Sequence, residues 1–306
     1  MISKINERQD IFGDNIAYVE QWDFSKANLS YEHRVQAITR IASACYANPN
    51  VIGKETLYNR LKAESKGLPS SSFEFVPVLL NEERISRMAR LPFLTKTFKH
   101  GEFILSENAS EDLYLLTNYR ALLYDYEMYG DEFGEDITQW YNTEEECREI
   151  AKHFKVFKSK LDLPTRTQYI RHRVSWQEQS RRYVSGKKVP FEFYISDGMK
   201  PIISNTYMNG VSDDTDQFDT IEAEIITSDV INVCVNHYFA ALKAGVQPQE
   251  ARRIIPQAAY TVIWSAWQPE QLKNFFDLRL DKHAQWEIRK LAGAKKGLLE
   301  DIPDEK

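Results

Sequence analysis

The sequence predicts a single α/β (α+β) domain, a mixed central sheet flanked by helices, and three observations carry that expectation. Apolar residues recur at helical spacing in three long stretches, Tyr31–Ala47, Thr220–Lys243 and Pro269–Leu298. Shorter segments between them alternate apolar and polar residues, as half-buried strands do. No internal repeat or low-complexity tract divides the 306 residues, so helices and strands are mixed along one chain with helical bulk at its C-terminal end.

Taken in order, the first helix places Val35, Ile38, Ile41, Ala42 and Cys45 on one face, and Asn48-Pro49-Asn50 ends it. A second helix over Lys54–Lys66 stops at Gly67-Leu68-Pro69, and Ser70–Leu80 then alternates as a strand. Glu82–Arg90 reads as a basic helix and Phe103–Glu107 as a short strand, while the acidic, Tyr-rich stretch Tyr124–Glu149 is assigned no element. Val156–Leu161 is a strand, and Pro164, tolerated in a first turn, opens a helix over Thr165–Arg173. Val189–Ser196 alternates as a strand, and the Gly/Asp/Asn-rich residues 197–218 read as a loop. Gly245 fits the C-cap of the helix Thr220–Lys243, a short helix follows Pro248, and the last runs from Pro269 to Leu298.

Composition excludes several function classes. A formal net charge of -6 argues against the broad basic footprint of a nucleic-acid binder, so any bound phosphate is small and held locally. The N-terminal MISKINERQDIFGDN has no apolar signal region, and nowhere do about 18 apolar residues follow one another as a membrane span requires. The expectation is a cytoplasmic protein without membrane partners. Three widely spaced cysteines, Cys45, Cys147 and Cys234, form no disulfide framework. Cys234 and His237 could share a helix face, but without a second pair they make no metal site.

The densest cationic text lies between Arg171 and Tyr183, where Arg171, His172, Arg173, Arg181 and Arg182 surround Glu178 and Ser180. By itself this cluster is either a solvated basic loop or an anion site, since guanidinium forks match phosphate geometry and a hydroxyl adds a donor.

The run Arg171-His172-Arg173 through Glu178, Ser180 and Arg182-Tyr183 resembles the signature of flavin-dependent thymidylate synthases, with a spacer, Val174–Gln179, one residue shorter than the family's. Farther on, Glu250-Ala251-Arg252, Pro256, Tyr260-Thr261, Leu272, Asn274-Phe275, Leu278-Arg279 and His283–Arg289 resemble the family's second signature, in order and without a gap. Ala42–Tyr46 and Gly67–Glu74 are similar to its N-terminal segments, although the two histidines of the latter are replaced here. Thr117-Asn118-Tyr119-Arg120 resembles a string found in longer members, which makes 1–306 one synthase-like domain with an insertion at 76–155.

That resemblance implies an FAD enzyme, a homotetramer, that builds a one-carbon group onto C5 of dUMP, with NADPH and methylenetetrahydrofolate as co-substrates. It implies FAD contacts for Arg171, His172, Arg173, Glu178, Asn274 and Ser70, and nucleotide contacts for Gln168, Ser180, Arg182 and Arg252. Arg279 would face the pyrimidine as the catalytic residue; the plain alternative is an arginine on a solvated helix face beside Asp277 or His283. Gln268 and Glu270 stand where many members have Asn and Arg, which implies a re-cut flavin pocket. A 5-hydroxymethyl product, dCMP as substrate, or an idle nucleotide- or flavin-binding paralogue are the alternatives. A cysteine nucleophile is not expected, because Cys45 and Cys234 lie in apolar helices and the glutamates before Cys147 raise its pKa.

Overall fold

The fold, seen in a computed structural model of the chain, is described for residues 2–6, 8–63, 69–91, 95–106, 112–133, 136–196, 203–204, 207–211, 218–221 and 225–300. The strands are β1 (Ser3–Lys4), β2 (Gln9–Asp10), β3 (Tyr18–Asp23), β4 (Pro77–Leu80), β5 (Glu102–Leu105), β6 (Leu113–Asn118), β7 (Lys155–Asp162), β8 (Ser175–Glu178), β9 (Ile203–Ser204), β10 (Tyr207–Val211), β11 (Phe218–Ile221), β12 (Ile225–Ile226) and β13 (Tyr260–Trp267). The helices are α1 (Tyr31–Tyr46), α2 (Glu55–Lys62), α3 (Glu82–Met88), α4 (Lys96–Lys99), α5 (Tyr119–Phe133), α6 (Glu144–His153), α7 (Leu163–Tyr169), α8 (Thr227–Lys243), α9 (Pro248–Ala251), α10 (Pro269–Arg279) and α11 (Trp286–Glu300). They fall into two compact units, one of residues 1–161, 165–180 and 261–306, the other of 162–164 and 181–260.

In the first unit the central sheet runs β1-β3-β7-β13-β8, with β2 also on β3. β3 is antiparallel to β1, β2 and β7, and β8 is antiparallel to β13. Seven of the eight residues of β13 are buried, and a strand covered on both faces needs no polar alternation. Helix α1 buries the predicted Val35, Ile38, Ile41 and Ala42, and Ser30 caps its N-terminus by accepting the His33 amide hydrogen. A three-stranded antiparallel sheet, β4-β6-β5, comes from the segment 76–155. Its Leu79, Leu115 and Leu116 enter the same apolar core as Ile38 and Trp264.

One cation secures that joint. Arg34 on α1 is 1% exposed. It donates to Asn28 Oδ1 (2.8 Å), Tyr119 Oη (2.7 Å), Thr138 O (2.9 Å) and Trp140 O (3.1 Å). Its guanidinium also stacks on the rings of Tyr119 and Tyr141, at 3.9 and 4.6 Å. A buried charge is tolerated when its hydrogens are satisfied, and no carboxylate takes part.

Several expectations are corrected. The second helix spans only Glu55–Lys62, and Gly67 and Leu68 lie outside the described residues. In place of one strand over Ser70–Leu80, Ser70 caps a 3-10 turn, Ser71–Phe75, which precedes β4. The expected strand Val189–Ser196 is reduced to one bridge, Phe193 with Ala259. Within the expected loop 197–218, the described residues 203–204 and 207–211 are strands, and Ile221 and Ile225 also fall in strands, so α8 begins at Thr227. The C-terminal helix is two: between them Asp281 accepts the backbone N–H of His283 at 2.7 Å, a local bond that competes with helix continuation. Tyr124–Glu149 holds parts of α5 and α6, and Thr143 with Glu146 forms a capping box at the start of α6.

The second unit centres on Tyr238 of α8, whose hydroxyl accepts the Gly186 amide hydrogen at 3.1 Å and whose ring meets Phe191 edge-on at 5.0 Å. A side chain at Gly186 would begin 2.6 Å from the Phe191 ring. Gly245, at φ +89°, closes α8 as expected, with the Val246 amide returning to Ala241 O.

Lys295 of α11 has no exposed surface, and its ammonium nitrogen lies 4.2 Å from the Phe157 ring centre and 4.4 Å from those of Tyr169 and Trp267. It donates to Tyr169 Oη. Burial holds the amine well below the ordinary lysine range. The unfolded chain therefore keeps a proton that the folded one sheds, so stability rises with pH until the ordinary lysine pKa near 10.4 is passed. Lys295→Met fills the space with a thioether suited to ring edges. It is expected to raise unfolding free energy by about 1–3 kcal/mol at neutral pH, the cost of burying a polar group, and to flatten the alkaline rise. Urea midpoints at pH 7 and pH 9 check both, and a destabilised variant refutes the assignment.

Candidate active site

Helix α7 gives way to a turn bearing Arg171, His172 and Arg173, and its last residue, Tyr169, is the anchor. Tyr169 is fully buried, its hydroxyl 2.8 Å from Ser265 Oγ, which also accepts the Trp267 indole N–H at 2.8 Å. His172 is buried above the same rings, edge-on to Phe275 at 5.0 Å and 6.1 Å from Trp267. Arg171 and Arg173, on either side of it in sequence, are exposed. The turn thus buries its neutral member and presents its two cations.

Arg279 arrives from the last turn of α10. Its Nε donates to His172 Nε2 at 2.9 Å and its Nη2 to Gln168 O at 3.3 Å. Accepting at Nε2 requires a neutral imidazole with its proton on Nδ1. Burial first, then the charges of Arg279 and Lys295, push His172 down to about 4, which agrees with that tautomer. The two partners that a solvated Arg279 could have taken are engaged elsewhere: Asp277 pairs with Lys273 at 2.7 Å, and His283 with Asp281 at 2.8 Å. Arg279 Nη1 has no protein partner among the described residues.

Gln168, His172 and Arg279 are therefore brought together. Arg171 lies near enough for its charge to disfavour that of Arg279, after burial the second cause of its lowered pKa. Gln285 joins them through a side-chain bond to Gln168. Glu178, on β8, has both oxygens engaged, one by Arg166 (Nε at 3.0 Å, and Nη2) and the other by Thr261 Oγ1 at 3.0 Å. Arg166 was missed in the sequence, although the twelve-residue separation could have been read as two elements facing each other. Ser180 donates its amide hydrogen to Cys45 O at 3.2 Å. Ser70 Oγ serves the 3-10 turn by accepting from Ser72 N at 3.5 Å, and Asn274 stands exposed on α10. Arg182 and Arg252 belong to the second unit, Arg182 over the Tyr183 ring at 5.2 Å and Arg252 donating to Gln249 O at 3.3 Å.

Beside Arg173 a cavity of about 450 Å³ is walled by the segment 76–155 through Lys96, Arg120 and Tyr124, and by Gln268 and Gln271. Arg120 is neutralised by Glu74, whereas Arg173 and Lys96 pair with no carboxylate among the described residues. Gln268, in place of the Asn common in the resembling family, donates to His100 O at 3.0 Å and Leu116 O at 3.2 Å, tying α10 to that segment. Uncompensated cations beside an aromatic wall fit a phosphate-bearing, ring-containing group such as FAD. Cys147, by contrast, is pushed up to about 11 by burial and then by Glu144, the direction read from the sequence.

Residues 151–302 match the profile of the thymidylate synthase complementing protein family. The chain is 32% identical over 137 residues to the flavin-dependent thymidylate synthase of Thermosipho africanus, covering 44% of this chain and 58% of that protein. It is also 32% identical over 143 residues to that of Thermotoga neapolitana, covering 45% and 57%. The matched stretch thus spans less than two thirds of these relatives. A UMP/dUMP methylase, PolB, from Streptomyces cacaoi superposes with a TM-score of 0.36 at 21% identity, over 47% of this chain and 68% of its own, a likeness too weak to carry an argument. No helix among the described residues is long and apolar enough to cross a membrane.

Proposed function

We propose, because residues 151–302 match the profile of the thymidylate synthase complementing protein family, that this chain is a flavin-dependent enzyme transferring and reducing a one-carbon unit from methylenetetrahydrofolate onto C5 of dUMP. The observation that carries the reading is the Arg279–His172–Gln168 junction, which joins the end of α10 to the turn after α7, 107 residues earlier, and so brings the two family signatures together. In this reading NADPH is the reductant, the assembly is a cytoplasmic homotetramer, and 1–306 is one synthase domain with 76–155 inserted. Arg171, Arg173 and the cavity beside Arg173 would hold FAD, which when bound would supply the hydride that completes the methyl group. His172, kept neutral by burial, accepts from Arg279 and fixes the plane of that guanidinium. Arg279 then offers a preset charge to the pyrimidine carbonyl edge, where negative charge builds as C5 attacks.

Purified protein is expected to be yellow, to release FAD on denaturation, and to liberate tritium from [5-3H]dUMP in the presence of methylenetetrahydrofolate. A colourless protein that releases no tritium would overturn the reading. A 5-hydroxymethyl product would retain the flavin and folate but not the final reduction.

Two expected results follow from the residue assignments. Replacing Cys45, Cys147 and Cys234 together by Ser should leave turnover measurable, since no step needs a thiolate; loss of activity in a folded, FAD-loaded triple variant refutes this. Arg252→Ala should weaken nucleotide binding by roughly 1.5–3 kcal/mol, the worth of a charged hydrogen bond, with flavin content unchanged. Equilibrium dialysis with dUMP beside a flavin spectrum measures both, and a variant that sheds FAD yet keeps its dUMP affinity contradicts the assignment.

A further inference from the structure

A second cavity in the first unit, about 300 Å³, opens between the C-terminal end of α1 and the central sheet. Two indoles line it, Trp22 and Trp264, with ring centroids 5.2 Å apart. Two cations line it as well, Arg40 and Lys158. The Arg40 guanidinium lies over the Trp22 ring at 5.2 Å, and its Nε is closed off from water with no hydrogen-bond partner. Among the described residues Lys158 pairs with one carboxylate, Glu20 at 4.0 Å, which is shared with Lys4 at 3.9 Å and with the Trp22 indole N–H at 3.2 Å, and its ammonium faces the Tyr18 and Trp264 rings at 5.7 and 5.8 Å. Glu20 is thus already divided, and Arg40 is left without a carboxylate among the described residues. Burial lowers the pKa of both cations; at Lys158 the Glu20 charge opposes this, and Lys4 and then Arg40 reinforce it.

A shut-off guanidinium N–H with no acceptor is costly, more so than a neutral group in the same place. An anion in the cavity would not reach that Nε, but it would offset the charge by accepting from the guanidinium's outer N–H groups. We propose that this cavity binds a phosphate monoester carried on a flat ring, of nucleoside monophosphate size, with Arg40 and Lys158 taking the phosphate and the two indoles the ring. A guanidinium fork beside an ammonium suits a dianion better than a single carboxylate, and the volume sits at the small end of ligand pockets. The nearby end of α1 would ordinarily repel an anion. Its carbonyls are covered, however: Ser43 O accepts from Asn48 N at 3.2 Å and Ala44 O from Ala47 N at 3.3 Å.

The location gives the site a use. Gln179, which lines the cavity, stands between Glu178 and Ser180, and the Ser180 amide is bonded to Cys45 O in α1. An occupant would press on the same short stretch that the proposed activity relies on, while Arg279 takes no part in the cavity. The binding claim itself does not depend on that activity.

The test is titration calorimetry, with tryptophan fluorescence in parallel, of the full chain with AMP, dTMP and inorganic phosphate. AMP or dTMP is expected to bind and quench the indoles, inorganic phosphate more weakly. Arg40→Gln and Lys158→Gln should each weaken this component at least tenfold, with Arg252→Ala, which weakens the proposed substrate site, leaving it intact. Circular dichroism monitors folding, and Lys158→Gln decides the matter if Arg40→Gln does not fold. The proposal is overturned if neither nucleotide binds, or if all binding survives Lys158→Gln and any folded Arg40→Gln unchanged. Binding lost in Arg252→Ala but kept in those variants belongs to the proposed substrate site and equally refutes it.

Discussion

Arg279→Ala is expected to slow methylene transfer by on the order of 10²–10³, the usual loss when a preset donor to a developing oxyanion is removed. The guanidinium is fixed before substrate arrives, by His172 Nε2 at 2.9 Å and Gln168 O at 3.3 Å, so no reorganisation is needed as charge grows on the ring. Because the interaction strengthens toward the transition state, the loss should fall on rate more than on nucleotide affinity. NADPH oxidation through the flavin should suffer less. Arg279→Lys should recover little, since a point charge can neither engage His172 through a planar N–H nor present a second prong. Single-turnover tritium release from [5-3H]dUMP measures the effect, and a wild-type rate in Arg279→Ala would remove the residue from the chemistry.

Acid should find the same junction. His172 titrates at about 4 in the folded chain and near 6.5 when unfolded, so between those values the unfolded chain takes up a proton that the folded one refuses. Stability therefore falls as pH drops through that window, levels below it, and is unaffected by this group above it. The difference amounts to roughly 3 kcal/mol. Protonation would also place a second donor against Arg279 Nε, breaking the bond that holds the guanidinium. His172→Gln keeps an acceptor for Arg279 but cannot titrate, so its stability should decline less steeply from pH 6.5 to pH 4. Urea denaturation of both proteins across that range is the measurement, and superimposable curves would show that His172 does not carry the acid sensitivity.

How much of this was legible depended on whether local patterning and tertiary environment agreed. Helix α1 was plain because its core face repeats every three to four residues and nothing else competes for them. β13 was not recognised, because Tyr260–Trp267 is buried on both faces and so shows no apolar–polar alternation. The break after Arg279 was also invisible: residues 280–285 contain neither Gly nor Pro, and the interruption lies in the Asp281 turn. At the site, Gln168, His172 and Arg279 were each singled out, for nucleotide, flavin and pyrimidine, but their mutual contact is tertiary and could not be read from the chain. Lys295 looked like an ordinary helix lysine beside Lys296, and only the four rings around it set it apart.

The burial of Arg34 bears on how this chain could be shortened. Three of its acceptors, Tyr119 Oη, Thr138 O and Trp140 O, belong to the segment 76–155, as do both rings that sandwich it. Excising that segment and rejoining the ends would strand a charge on α1 with Asn28 as its remaining partner. The excision cannot therefore be a single viable step. Residue 34 must lose its charge together with the excision, and a trimmed variant carrying Arg34→Leu or Arg34→Met should be recovered from a deletion library when the simple deletion is not.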